Sequence, residues 1–348
     1  MNKRIQTSFL ALVIALMACA QGTLAQRRRA AAPVTPVNVA PLNLLPPSDL
    51  VALVDLKRLI NEALPKVLAN DPAKLAEVNA QIDKLKAQTG IDARSFERIA
   101  VGLRYVKPSP NVTTADTVVI LRGTFNSGAL LAAARLAAKG KYQEEKYKGT
   151  TIYTFNVNDQ LGIPGLASLK VRDLSALALD ANTLVVGEPA VVRATLDASA
   201  ARTSANANLI QLAARNPRAL ISFSANVPAS LLQGLDLGND ELGKVVGSIR
   251  QAAGALGTTE KGFELLAMAR TERPEQAQTL TDTLSSLKQF GGMLIPQLPP
   301  DLGKLAQNAL DSLKITAQGN DSQLSLELAQ ADISTLLRVM QPKKPETR

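Results

Sequence analysis

The sequence contains no histidine and no tryptophan, and Cys19 is the only cysteine among its 348 residues. A lone cysteine excludes an intrachain disulfide. The missing histidine excludes the Ser-His-Asp and Cys-His nucleophile systems, and zinc sites built on imidazole or on several thiolates go with them. Aromatic residues make up only 3%, so Ala, Leu and Val must fill any core. Carboxylate, Ser/Lys, Tyr and backbone chemistry remain open. Long apolar runs are missing too: beyond the first segment, no stretch reaches the roughly 18 uninterrupted apolar residues of a membrane-spanning helix. What is present is 46% hydrophobic and 20% charged residues, enough for a sizeable core and without a bias towards disorder. At about 150 residues per domain, the length fits two domains or one large one.

Residues 1–25 have the layout of a secretory signal peptide. Lys3 and Arg4 form a short positive start, Phe9 to Ala18 is apolar, and small residues follow. Two small-x-small cleavage sites compete, Ala18-Cys19-Ala20 and Thr23-Leu24-Ala25. A third exit, Leu16-Met17-Ala18-Cys19, resembles a bacterial lipobox, with Cys19 lipidated as the mature N-terminus; Met17 departs from that pattern. Both routes predict an exported protein of the periplasm or cell envelope, secreted or lipid-anchored. Contact with the membrane is expected only through the signal peptide or a lipid.

Lys and Arg total 39 against 30 Asp and Glu, a net charge of +9. Part of that excess lies in the signal peptide and in Arg27-Arg28-Arg29, which leaves the folded body only mildly basic. A nucleic-acid partner is not expected, because such proteins concentrate Lys/Arg on one element and interleave aromatics. The densest basic run, Lys139 to Lys148, is interrupted by Glu144-Glu145 and reads as a solvated loop leading into a strand.

Residues 26–47 are rich in Pro and Ala and read as an extended tether, and 341–348 as a disordered tail. The body repeats one order of elements: strand, helices, strand pair, helix, hairpin, helix. In the first unit (45–198), Asp49 to Asp55 is the opening strand. Asp71 and Pro72 start a helix with Leu75, Val78, Ile82 and Leu85 on one face, and Gly90 ends it. Strands follow at Arg98–Tyr105 and Thr117–Phe125, a helix from Asn126, then a hairpin turning at Asp180-Ala181-Asn182. In the second unit (208–340), strands are predicted at Arg218–Ser224, Ile249–Leu256 and Gly262–Ala269. A helix from Pro274 turns Ala277, Leu280, Leu284 and Leu287 inward. A hairpin then turns at Gly319-Asn320-Asp321, with Leu324, Leu326 and Leu328 alternating, and Asp332 caps a last helix. The expected fold class is α+β: two similar α/β-sandwich-like units with mainly antiparallel sheets, related by internal duplication.

Leu45-Pro46-Pro47-Ser48-Asp49 followed by the Val51–Asp55 strand resembles uncharacterised exported bacterial proteins that open with a Leu-Pro-x-Asp element before a Val/Asp-rich strand. Lys146-Tyr147-Lys148-Gly149, Ile152-Tyr153 and Val185-Val186-Gly187-Glu188 are similar to the same group. The resemblance implies an exported protein and supplies no catalytic residues.

No phosphate-binding loop, G-x-G-x-x-G or G-x-S-x-G is present, and Asp236 to Glu241 lacks the spacing of a calcium loop. No metal or cofactor is expected. Ser285-Ser286-Leu287-Lys288 has the S-x-x-K spacing of penicillin-binding enzymes, but the Ser-Ala-Asn triplets precede it and no K-T-G follows. Glu144 and Glu145 are adjacent and so point apart, which argues against a glycosidase pair. Arg122 and Arg270 each end a strand before a helix, a place where a guanidinium attracts anions. These two are the candidate binding residues. The expected function is a non-catalytic binding or scaffold module of the envelope, gripping an envelope protein or acidic ligand where the two units meet. The alternative is an envelope hydrolase using Ser/Lys or paired carboxylates on cell-wall or glycan material.

Overall fold

The computed structural model describes residues 39–109, 112–156, 173–200, 206–232, 240–333 and 335. The strands in chain order are β1 (Leu50–Asp55), β2 (Phe96–Ser109), β3 (Val112–Gly123), β4 (Tyr142–Tyr147), β5 (Thr150–Asn156) and β6 (Asp173–Asp180). They continue with β7 (Thr183–Gly187), β8 (Ala219–Asn226), β9 (Ile249–Thr258), β10 (Gly262–Thr271), β11 (Lys314–Gln318) and β12 (Asp321–Ala329). Besides a single turn at Ala229–Leu232, the helices are α1 (56–67, with a π turn Leu59–Ala63 inside it), α2 (Pro72–Thr89), α3 (Ser127–Ala137), α4 (Pro189–Ala200), α5 (Ala207–Ala213), α6 (Asp240–Gly247), α7 (Pro274–Leu294) and α8 (Pro300–Ser312). This is mixed helix and antiparallel sheet, the α+β class that the alternating patterns predict.

Local signals place most boundaries. Asp71 accepts the Lys74 amide at the start of α2, Pro72 follows it, and Gly90 closes the helix in the left-handed conformation at φ 73°. Asn126 caps α3 through the Ala129 amide. Lys148-Gly149, both at positive φ, make the tight turn between β4 and β5. The segment Lys139–Lys148, read from sequence as a loop, is mostly the edge strand β4, held by its pairing with β5 from Tyr142 opposite Phe155 to Tyr147 opposite Thr150. Helix α8 was not expected. Asp332 lies inside a short helical turn and accepts the Asn308 amide, so it is not a cap.

All twelve described strands form a single sheet in the order β11-β12-β10-β9-β8-β1-β2-β3-β7-β6-β5-β4. Its centre is β1 pairing antiparallel with β8, with Val51 opposite Ser224 and Leu53 opposite Ser222. The expectation of a cleft where two sheets meet is therefore corrected. Each opening strand would otherwise leave a row of backbone groups unpaired, and pairing them with each other removes both edges. Buried Asn206 fastens the joint: its Oδ1 accepts the Ser48 amide at 2.9 Å, and its Nδ2 donates to the carbonyls of Pro46 at 2.8 Å and Leu45 at 3.3 Å.

One face of the sheet carries the main core. The 3-10 turn Ala40–Leu44, α4 and α5 cover Val51, Leu53, Ala100, Val118, Ile120 and Val185, all buried. On the other face α3 covers the β3–β6 end, α1 packs against Ile221 and Leu256, and α8 closes over β10–β12. The helix stripes read from sequence cover less than expected. Ala277, Leu280 and Leu284 of α7 are buried, but Leu287 is exposed; in α2, Leu75, Val78 and Ile82 are half-buried and Leu85 is exposed.

Substituting Asn206→Ala removes the partner of the Ser48 amide and of the Leu45 carbonyl and one of the two bonds to the Pro46 carbonyl, and is expected to cost about 2 kcal/mol of unfolding free energy. Urea denaturation of the full chain checks this; an unchanged midpoint contradicts the role of Asn206 as the fastening at the joint.

Candidate binding face of the sheet

The residues singled out from sequence do not converge. Arg122 and Arg270 end β3 and β10, five strand spacings apart, or about 24 Å. Because those strands run in opposite directions, the two side chains also lie at opposite ends of the sheet. Arg270 is engaged: its Nε and an Nη donate to the Asp321 carboxylate at 2.6 and 2.9 Å, and Arg215 adds a third bond at 2.8 Å. Burial pushes the Asp321 carboxyl up, but the two guanidinium groups outweigh it and hold it below the usual aspartate range. At the matching place in the first half Arg122 lies opposite Thr183 instead of an acid. It is exposed, with no acidic partner among the described residues, and Arg98 is its cross-strand neighbour.

Ser285 and Lys288 do not face each other. The serine hydroxyl donates to the Thr281 carbonyl at 2.8 Å, whereas Lys288 Nζ donates to the Leu313 carbonyl at 2.7 Å. Burial lowers the Lys288 ammonium from its ordinary value, against the pull of the Asp311 carboxylate, and its hydrogen bond goes to a backbone oxygen. Glu144 and Glu145 point apart as expected, to Arg135 and Arg193. Cys19 lies outside the described residues. Among the described residues no cluster of three or more metal-ligating side chains is present, and no helix is long and apolar enough to cross a membrane.

What the structure brings together was not predicted. Cross-strand pairing aligns Val119, Val101, Ala52, Phe223, Gly254 and Ala267 in one row across β3, β2, β1, β8, β9 and β10. All six are apolar and half-buried, and none belongs to a buried cluster. The adjacent row on the opposite face, Val118, Gly102, Val51, Ser224, Ala253 and Met268, is buried throughout. Strand alternation thus puts a sealed row and an unsealed row side by side in sequence. Phe223 is the one large ring in the unsealed row, and it leans over Gly254, where an added Cβ would sit 2.5 Å from the ring. The parallel row Leu121, Ile99, Val54, Ile221, Leu256 and Leu265 widens the floor towards α1, α3 and α8.

No ionisable side chain occurs in either row. Glu188 and Tyr105 sit at the end of the sheet where β1 and β3 begin. There burial raises the Glu188 carboxyl even though it accepts the Thr117 amide at 2.7 Å, and burial, helped by Asp49, raises the Tyr105 phenol. The floor can bind apolar material and has no group with which to transfer a proton. From sequence, its only signal was the alternation of small and branched apolar residues in six separate strands.

No protein-family model and no curated protein matches the chain. Among solved structures it is similar to crystal forms of TP0453. Form I superposes with a TM-score of 0.42 at 7% identity, covering 88% of this chain and 99% of that one. Form IV gives 0.42 at 9% identity, covering 85% and 96%. Form III gives 0.41 at 8% identity, covering 86% and 98%.

Asp321→Asn is expected to destabilise the protein by about 1–3 kcal/mol at neutral pH, the lower range reflecting two partly exposed arginine partners. The carboxyl is held below its unfolded value, so its contribution is complete above the ordinary aspartate pKa and is lost as the pH falls through the folded value. Thermal melts across that acid range should therefore converge for the two proteins; a constant difference at all pH values contradicts the assignment.

Proposed function

We propose that this protein is an exported, non-catalytic binding module of the cell envelope, and that the apolar row from Val119 to Ala267 is the floor of its binding surface. The observation that carries the proposal is the asymmetry of the two faces: six residues in a row are buried on one side, and the six beside them are only half-buried on the other. A chain with this much apolar residue could cover both faces, and an open apolar platform marks an interaction site. The partner's contact is apolar. Arg270 is already paired with Asp321, and Arg122 lies five strand spacings away, which argues against an acidic ligand held between them. No observation favours the hydrolase, since Ser285 and Lys288 serve different carbonyls.

The same reading includes internal duplication. From the central pair outward, the order is β1-β2-β3-β7-β6 on one side and β8-β9-β10-β12-β11 on the other. It is supported by matching hairpin asparagines. Asn182 accepts the Gly123 amide on its carbonyl and donates its side chain to Phe125, and Asn320 does the same with Thr271 and Glu272.

An apolar fluorescent dye such as anilinonaphthalene sulfonate tests the floor. The native full chain is expected to bind it, and Ala52→Glu, which sets a charge in mid-row, should weaken binding by about tenfold or more with the circular dichroism unchanged. A native chain that binds no dye, or a folded variant that binds it equally well, would falsify the assignment.

A further inference from the structure

The two ends of the sheet are finished differently. At one, β4 is blunted by charge: Glu144 is tied to Arg135, Glu145 to Arg193, and Lys148 and Tyr147 to Asp197. Charged edge strands resist pairing with another chain. At the other end β11 carries Lys314-Ile315-Thr316-Ala317-Gln318, with a single charge.

The hairpin that joins β11 to β12 decides which backbone groups are spare. Its loop has two residues, Gly319 at φ 57° and Asn320, the form of a type II′ turn, so the flanking Gln318 and Asp321 are a hydrogen-bonded pair. By alternation Thr316 bonds to Gln323. The N–H and C=O groups of Ile315 and Ala317 therefore point away from β12, and no described residue bonds to them. In the first half the corresponding strand β6 has its outer side occupied by β5. In the second half no described strand takes that place.

Helix α7 lies along this same edge, with Lys288 reaching the Leu313 carbonyl just before β11. Past Leu284 it turns Leu287, Phe290 and Leu294 outward at spacings of three and four, and Met293 and Leu298 add to the patch. Phe290 is 58% exposed and Met293 65%. No acidic residue occurs between Asp282 and Asp301. A spare strand edge and an uncovered helix stripe thus adjoin at one end of the sheet.

We propose that this end is a homodimer interface in which two copies pair β11 with β11 about a two-fold axis at Thr316. That register sets Ile315 opposite the second copy's Ala317 as a hydrogen-bonded pair, Thr316 opposite Thr316, and Lys314 opposite Gln318. The axis runs perpendicular to the sheet, so both α7 helices stay on the same face and meet stripe to stripe. A second copy is the occupant because a two-fold interface must be complementary to itself. In β11 no like charges oppose, and Thr–Thr is a favourable cross-strand pair. The equivalent self-pairing of β4 would set Glu144 against the second copy's Glu145.

Light scattering coupled to gel filtration of the full chain should give the mass of a dimer. Ala317→Pro removes only an outward N–H, and Phe290→Glu changes only an exposed stripe residue; each should run as a monomer with unchanged circular dichroism. Hydrogen exchange should show the Ile315 and Ala317 amides protected in the native protein and unprotected in Phe290→Glu, which keeps the test decisive if the proline variant does not fold. A monomeric native chain, a dimer that survives in folded Phe290→Glu, or a dimer whose two amides exchange freely would each overturn the proposal.

Discussion

The backbone pairing of β1 with β8 is what gives the rest of the molecule its geometry. Five residue pairs, Leu50 with Ala225 through Val54 with Ile221, bring together strands about 170 positions apart in the chain. They set the register in which every outer strand is added. A one-residue slip there would turn Val51 and Leu53 to the open face and Ala52 and Val54 to the core. Asn206 opposes such a slip, because its amide is matched at once to Ser48 N–H and to the Leu45 and Pro46 carbonyls.

With that register in place, the two faces differ for a simple reason of connectivity. The segments that enter β1 and β8, Ala40–Leu44 and α5, both lie on the same side, and α4 returns there too. Their Leu and Val side chains seal that face, at about 1.5–3 kcal/mol for each fully buried one. The helices on the other side leave from strand ends and settle over the flanks. The middle of that face keeps a half-buried row, Val119 to Ala267, in which Phe223 is the one large ring.

The halves share an order of strands but differ in their charges. Asp321 and Thr183 hold corresponding hairpin positions, and the first, itself buried, draws Arg270 into an ion pair while the second leaves Arg122 in solvent. Thr183 itself is buried with a hydroxyl that has no hydrogen-bond partner among the described residues. The second half is thus closed electrostatically at the place where the first is open, although the two arginines look alike in sequence.

Much of the local structure was legible in the sequence: the hairpins at Asp180–Asn182 and Gly319–Asn320, the Asp71-Pro72 start and Gly90 stop of α2, and the strands with period-two Leu and Val. Those features depend on residues a few positions apart, and turn chemistry, capping and alternation act over that range. The absence of histidine likewise narrowed the chemistry without any structure. The continuous sheet, the half-buried row and the pairing of Arg270 with Asp321 depend on contacts across 50 to 170 positions. Alternation tells which residues share a face, but only the return path of a distant helix decides whether that face is covered. Ala52, Phe223 and Gly254 form a floor because β2, β1, β8 and β9 are neighbours, and nothing local to any of the three records that.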